Sequence, residues 1–136
     1  RALSLRSTLL LLGIEEAEAL FGTREPTCIA DAVFSTGKVQ VIALKDGARG
    51  SIILPRGAAP IPVTPWPCHC VESIGAGDAF NAGFLAGWML GRGWAKCGCM
   101  GAIAGAMATE TPGDIEGTPT RQQMEKVLQG AVEIYR

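Results

Sequence analysis

Apolar positions in this chain fall into short unbroken runs and longer small-residue stretches, punctuated by glycine and proline. Thr8-Leu9-Leu10-Leu11-Leu12, bounded by Gly13, has the pattern of a strand buried on both faces. Glu15 to Phe21 reads as a short helix closed by Gly22, and Pro26 to Thr36 as a second, with proline in its first turn and Gly37 after its end. Val39 to Leu44 is the next buried strand, Lys45 to Gly50 a turn, and Ser51 to Leu54 a short returning strand. Five prolines between Pro55 and Pro67 exclude a central ladder, which leaves loop and edge strand there. Cys68 to Val71 reads as a short strand leading into a glycine-rich turn. Helices follow from Ala79 to about Leu90 and from Trp94 to Thr109. After a loop from Thr111 to Pro119, Thr120 and Gln123 form a capping box for a last helix reaching about Ile134. Strands alternating with helices predict an α/β layered sandwich with a largely parallel sheet.

Composition narrows the classes. The 136 residues suit one ordinary domain, and 48% hydrophobic against 18% charged residues implies a packed core rather than disorder. Twelve basic and thirteen acidic residues leave a net charge of −1, with the basic ones scattered, so a nucleic-acid partner is not expected. No apolar run approaches the roughly 18 residues that a membrane span needs. The start imitates a signal peptide, with Arg1 and Arg6 before Leu9 to Leu12, but the apolar stretch runs straight into Glu15 and Glu16. Five cysteines, four of them in the tight pairs Cys68/Cys70 and Cys97/Cys99, suit reduced thiols in a cytoplasm better than a disulfide framework. With Arg1 in place of an initiator Met and a strand almost at once, the chain is expected to be part of something longer.

Gly75-Ala76-Gly77-Asp78 carries the strongest chemistry. Small residues let backbone approach a ligand closely, and the first turn of a helix leaves N–H groups without partners at the positive end of its dipole. Together they form a cradle for an anion, most naturally a phosphate. A carboxylate is out of place in a loop that only binds phosphate. It belongs there if Asp78 takes a proton from a hydroxyl that then attacks the phosphoryl group. The plainer reading makes Asp78 a helix cap and the glycines a tight turn. A dinucleotide fingerprint fails because Phe80 holds the third glycine position, and no Gly-Lys-Ser or Gly-Lys-Thr marks a Walker loop.

Glu72-Ser73-Ile74-Gly75-Ala76-Gly77-Asp78-Ala79-Phe80 resembles the second signature of the ribokinase/PfkB carbohydrate kinases, Asp-Thr-x-Gly-Ala-Gly-Asp-Ala-Phe. The order of elements agrees from about Leu9 onward. The phrases at Glu15–Gly22 and Pro112–Pro119 look most like the 2-keto-3-deoxygluconate kinase branch, and equally like a related sugar-acid kinase or fructokinase. The resemblance implies a ribokinase-like α/β fold, of which these residues are the C-terminal, nucleotide-handling and catalytic portion. The amino-terminal sugar-binding strands and lid have no counterpart here. It implies transfer of the γ-phosphoryl of ATP to a hydroxyl of a sugar or sugar acid, with little or no activity in these residues alone, and it leaves room for a homo-oligomer of the full-length protein. Asp78 would be the catalytic base, and the amides of Gly75, Ala76, Gly77 and Asp78 the anion hole. Lys45-x-Gly47-x-x-Gly50 matches the nucleotide loop along the ATP phosphates, and reads equally as a hairpin turn with a solvated Lys45.

Three departures stand out. Glu16 falls at the acidic end of the family's Asn-x-x-Glu motif, which orders Mg2+ and phosphates through water, but Gly13 replaces the Asn. On its own, Glu16 is a first-turn helix carboxylate. Glu72 stands where the family has an Asp beside a monovalent cation such as K+, with the carbonyl of Ile74 as a second ligand. Ala102 stands where many members place an Asn against adenine. These substitutions also fit a second reading, a non-catalytic nucleotide- or anion-binding module left by a degenerate kinase. Cys68-His69-Cys70 and Cys97-x-Cys99 lack zinc spacing, and buried structural thiols are expected instead. Gly83-x-x-x-Gly87 suggests close packing on the sheet, and Trp66, Trp88 and Trp94 core or rim filling.

Overall fold

A computed structural model describes residues 8–35, 37–110, 112 and 117–134. Residues 113–116 of the Pro112–Pro119 phrase therefore lie outside the described residues, as does Thr36. The chain divides into two compact units, Arg1–Thr64 and Pro65–Arg136.

The first unit carries four strands, β1 (Leu9–Gly13), β2 (Val41–Lys45), β3 (Ser51–Pro55) and β4 (Ile61–Val63), in that spatial order. Two helices, α1 (Ile14–Phe21) and α2 (Pro26–Phe34), lie between β1 and β2 in the chain. β1 runs parallel to β2, whereas the β2–β3 and β3–β4 pairs are antiparallel. The α/β class stands, but the sheet is mixed rather than largely parallel. Connection length decides this. A parallel pair needs a crossover of roughly a dozen residues or more, which only the two-helix segment supplies, while the short turns after β2 and β3 can make only hairpins.

β1 also departs from a strand buried on both faces. Leu10 and Leu12 are buried while Leu9 and Leu11 are only half-buried, because β1 stands at one edge of the four strands. Leu10 and Leu12 join Ile29, Val33, Ile42 and Leu54 in the unit's core. At about 1.5–3 kcal/mol for each such side chain, this apolar set is the main force holding the helices to the sheet. β4 closes the other edge, where Pro62 is tolerated as expected.

The predicted end of α1 and start of α2 hold, whereas α2 ends at Phe34 with Ser35 after it, short of the expected Thr36. Gly22 adopts the left-handed conformation (φ 74°) and its N–H donates to Glu18 O at 2.8 Å. Pro26 opens α2. A single side chain then ties this region together. Arg56 donates to the carbonyls of Val39 (2.8 Å), Phe34 (3.0 Å) and Gly37 (2.8 Å), and its guanidinium lies 4.9 Å from the centre of the Phe34 ring. It satisfies carbonyls released by the end of α2 and fixes the approach to β2.

The second unit carries α3 (Ala76–Met89), α4 (Trp94–Thr109) and α5 (Arg121–Ile134). Small residues let α3 and α4 touch backbone to backbone. A Cβ at Gly83 would sit 2.5 Å from Met100 O, and one at Gly87 3.1 Å from Cys97 Cα. The Gly83/Gly87 pair thus serves a helix–helix contact and not, as expected, packing on the sheet. Phe84 is fully buried between Phe80 and Trp94, with ring centroids 6.3 and 6.2 Å away. Trp66 packs on the cluster formed by Met100, Ile103, Ala104 and Met124, whereas Trp88 is largely exposed. The capping box forms as read: Thr120 N–H donates to Gln123 Oε1 at 2.8 Å and Gln123 N–H to Thr120 Oγ1 at 3.2 Å.

Cys68 to Val71 is not a strand. The N–H groups of Val71 and Glu72 both donate to Thr109 O, at 2.7 and 3.0 Å, so the end of α4 takes bonds that a ladder would have used. Among the described residues no helix is long and apolar enough to cross a membrane.

Replacing Arg56 by Met would strand three carbonyls while keeping an apolar stem. It is expected to lower the unfolding free energy by about 1–3 kcal/mol, read from urea titration. A loss below about 0.5 kcal/mol would contradict this account of the arginine.

Candidate functional site

The glycine-rich turn is built from its backbone. Gly75 is the residue before α3 and sits at φ 85°, ψ −7°, a conformation that a Cβ would strain. α3 therefore starts at Ala76, three residues earlier than the apolar pattern suggested, and Ala76, Gly77 and Asp78 form its first turn. Ala76 N–H donates to Ser73 O at 3.3 Å, and Ala79 N–H to Gly75 O at 2.9 Å. Gly75 has no side chain with which to cap the helix, and among the described residues no acceptor takes the N–H of Gly77 or Asp78. Two adjacent donors are thus left at the positive end of a fourteen-residue helix.

Asp78 is exposed, and its carboxylate makes no hydrogen bond among the described residues. The reading of Asp78 as a helix cap therefore finds no bond in the structure. A carboxylate left without a structural partner, beside unpaired amides, can accept a proton from a neighbouring hydroxyl. In the same unit lie half-buried Glu72 and exposed Ile74, on the segment entering the turn. Half-buried Ala102 lies on α4.

The remaining sequence candidates belong to the first unit. Gly13 and Lys45 are register partners, so the start of α1 and the β2–β3 turn stand side by side at the carboxyl ends of the two parallel strands. Gly47, at φ 52°, opens a single 3-10 turn, Gly47–Arg49, and Gly50, at φ 98°, follows it. Asp46 N–H donates to Gly50 O at 2.8 Å, which makes this a closed hairpin turn. Glu16 is an exposed first-turn carboxylate whose Oε2 accepts the N–H of Gly13 at 2.9 Å. That bond realises the plain structural reading of Glu16 and leaves its second oxygen for other work.

Sequence reasoning did not single out Ser51. Its hydroxyl is the one buried side-chain polar atom without a hydrogen-bond partner among the described residues. Ser51 also lines a cavity of about 260 Å³ together with Ile14, Arg24, Asp46, Arg49 and Gly50. Arg24 is already paired with Glu18 at 2.8 Å, and Arg49 lies 3.9 Å from Asp46, so the cavity wall is close to charge balance. The only sequence signal was a small polar residue directly after Gly50 at the head of a buried strand. Among the described residues no cluster of three His, Cys, Asp or Glu side chains could hold a metal ion.

The model of the pfkB family carbohydrate kinases matches residues 2–121. The chain belongs to this family. A sugar kinase of Archaeoglobus fulgidus, otherwise uncharacterized, is 35% identical over 113 residues, 83% of this chain and 44% of its own length. The 2-dehydro-3-deoxygluconokinase of Bacillus subtilis is 28% identical over 124 residues, 91% of this chain and 38% of its own. Arabidopsis thaliana ribokinase, solved with ribose and ATP, superposes with a TM-score of 0.79 at 28% identity, covering 89% of this chain and 40% of that one. The chain thus has the ribokinase-like fold and spans 38–44% of the length of these relatives. In pfkB terms the matched region contains the whole glycine signature and the Lys45–Gly50 turn.

Of the five thiols only Cys97 is buried, which corrects the expectation of buried structural cysteines: Cys28, Cys68, Cys70 and Cys99 are exposed. Burial pushes the Cys97 thiol above its ordinary range, with a backbone hydrogen bond pulling the other way. Because the folded value is raised, the associated stability is complete below the unfolded thiol range and is lost as pH rises through the folded value. Alkylation at pH 8 is expected to modify Cys97 at least about tenfold more slowly than Cys68 or Cys70. Equal rates by peptide mass mapping would contradict its burial.

Proposed function

We propose that this chain is the nucleotide-handling and catalytic part of a carbohydrate kinase that transfers the γ-phosphoryl group of ATP to a hydroxyl of a sugar or sugar acid. The observation that carries the reading is the start of α3, where two unpaired amides lie beside a carboxylate with no structural task. Family membership adds the reaction class.

In this reading the N–H groups of Gly77 and Asp78, on the turn set by Gly75 and Ala76, donate to the oxygens of the phosphoryl group as negative charge develops on them. Donors fixed before the reaction need no reorganisation, the source of most such stabilisation. Asp78 accepts the proton of the attacking hydroxyl. The positive-φ glycines Gly47 and Gly50 allow ATP phosphates to approach the β2–β3 turn, with Lys45 supplying positive charge. A Mg2+ ion, when bound, would supply charge neutralisation of the phosphates, with Glu16 as the carboxylate near enough to the β2–β3 turn to help order it. Glu16 fits that role, since one carboxylate oxygen remains after its bond to the Gly13 amide. Glu72 and the Ile74 carbonyl are the groups that would hold a monovalent cation such as K+.

The Bacillus subtilis relative supports a 2-keto-3-deoxygluconate-like acid as the first substrate to try. Sugar recognition rests mainly on residues outside these 136, which alone have little activity. A cytoplasmic location suits both the ATP requirement and the exposed thiols.

Asp78→Asn in the full-length protein tests the assignment, with phosphorylation measured across a panel of sugars and sugar acids and ATP affinity measured separately. Turnover is expected to fall by about 10²–10⁴-fold with ATP affinity nearly unchanged. Turnover at the parent rate would overturn the role of Asp78. A full-length protein that binds ATP yet phosphorylates no member of the panel would favour a non-catalytic nucleotide-binding module.

A further inference from the structure

We propose that Gly105 and Thr109 of α4 are positioning residues for the amide cradle: Thr109 holds the segment entering the glycine turn and Gly105 seats the first turn of α3 leaving it. This rests on the reading that the Gly77 and Asp78 amides serve a phosphoryl group, and extends it to residues that touch no substrate.

The two residues are four apart and so stand on one face of α4, just over one turn or about 6 Å along its axis. Thr109 O accepts the N–H groups of both Val71 and Glu72, at 2.7 and 3.0 Å. Its hydroxyl donates to Ala106 O at 2.7 Å and lies 3.5 Å from Cys68 Sγ, so a buried threonine holds the same segment at a second point. At the other end of the turn, a Cβ on residue 105 would stand 3.1 Å from Ala76 O and 3.6 Å from Phe80 Cβ. Both atoms belong to the first turns of α3, and the nearest is backbone, which cannot rotate away. Between these anchors, Ser73 to Gly75 is braced by the bond from Ala76 N–H to Ser73 O. The direction of the free amides is therefore set by α4 at both ends of the turn.

A displacement of a few tenths of an ångström matters more to a transition state than to a bound ground state, because donor geometry is tightest where charge develops. Overpacking at Gly105 should therefore act on kcat before it acts on ATP binding. Gly87→Ala supplies the comparison. It overpacks the same helix pair against Cys97 and Met100, at the far end of α3 from the cradle.

The test measures kcat, KM for ATP and thermal unfolding on the full-length protein. Gly105→Ala is expected to lower kcat about tenfold or more with KM for ATP within about threefold. Gly87→Ala should lower the unfolding temperature while kcat stays within about twofold. Thr109→Val keeps the carbonyl and removes only the hydroxyl's contacts with Ala106 O and Cys68 Sγ, and should cost about threefold or more in kcat, while Thr109→Ser, which keeps the hydroxyl, should restore the parent rate. If Gly105→Ala does not fold, the Thr109 pair decides. Parent kcat in Gly105→Ala or, failing that variant, in Thr109→Val overturns the positioning role, as does an equal kcat loss in Gly87→Ala. Asp78→Asn separates the two layers: parent turnover there removes the underlying reading, whereas an inactive Asp78→Asn beside a full-rate Gly105→Ala removes only the positioning.

Discussion

The first turn of α3 begins at a residue that cannot cap it. Most helices satisfy their leading N–H groups with a Ser, Thr, Asp or Asn side chain just before the first turn. Here Gly75 occupies that position in a left-handed conformation, Ser73 O takes only the Ala76 donor, and the next two donors remain open. Unmade bonds of this kind cost stability unless water or a ligand supplies them. They persist because the turn is anchored elsewhere, at the Thr109 carbonyl and along a helix pair whose glycines remove the space for any other arrangement. Stability stored in α3–α4 packing is what keeps the donors fixed and exposed.

The first unit follows a related rule with different parts. Its one parallel pair brings the start of α1 and the end of β2 together at the carboxyl ends of the strands, where open α/β sheets usually bind ligands. Two positive-φ glycines then fold a short turn at that edge. Around it, charge is largely paired off: Arg24 with Glu18, Arg49 with Asp46, Glu16 with the Gly13 amide. An anion at this turn would rely on backbone proximity more than on a net positive field.

Local rules were legible in the sequence where one residue type decides the geometry. Gly22, Pro26 and the Thr120/Gln123 pair mark helix ends through φ, a missing N–H and reciprocal side-chain bonds, and all three appear as read. The pfkB signature was legible for the same reason, since a glycine-rich helix start followed by an acid is a rare combination. What the sequence concealed depends on distant partners. Cys68 to Val71 has strand-forming character but loses its ladder to the Thr109 carbonyl, far away along the chain. Leu9 and Leu11 look like core, yet burial follows from the strand's place at an edge. Gly83 and Gly87 announced close packing without saying against what, and nothing local predicted that Ser51 would bury an unpaired hydroxyl.

The most direct test of the central claim is an amide-resolved NMR titration of the isotope-labelled full-length protein with Mg·ATP, and separately with adenosine. If the open donors at the start of α3 receive phosphate, the Gly77 and Asp78 amide resonances move downfield with Mg·ATP and stay in place with adenosine. Saturating Mg·ATP that leaves both resonances unmoved would contradict the account.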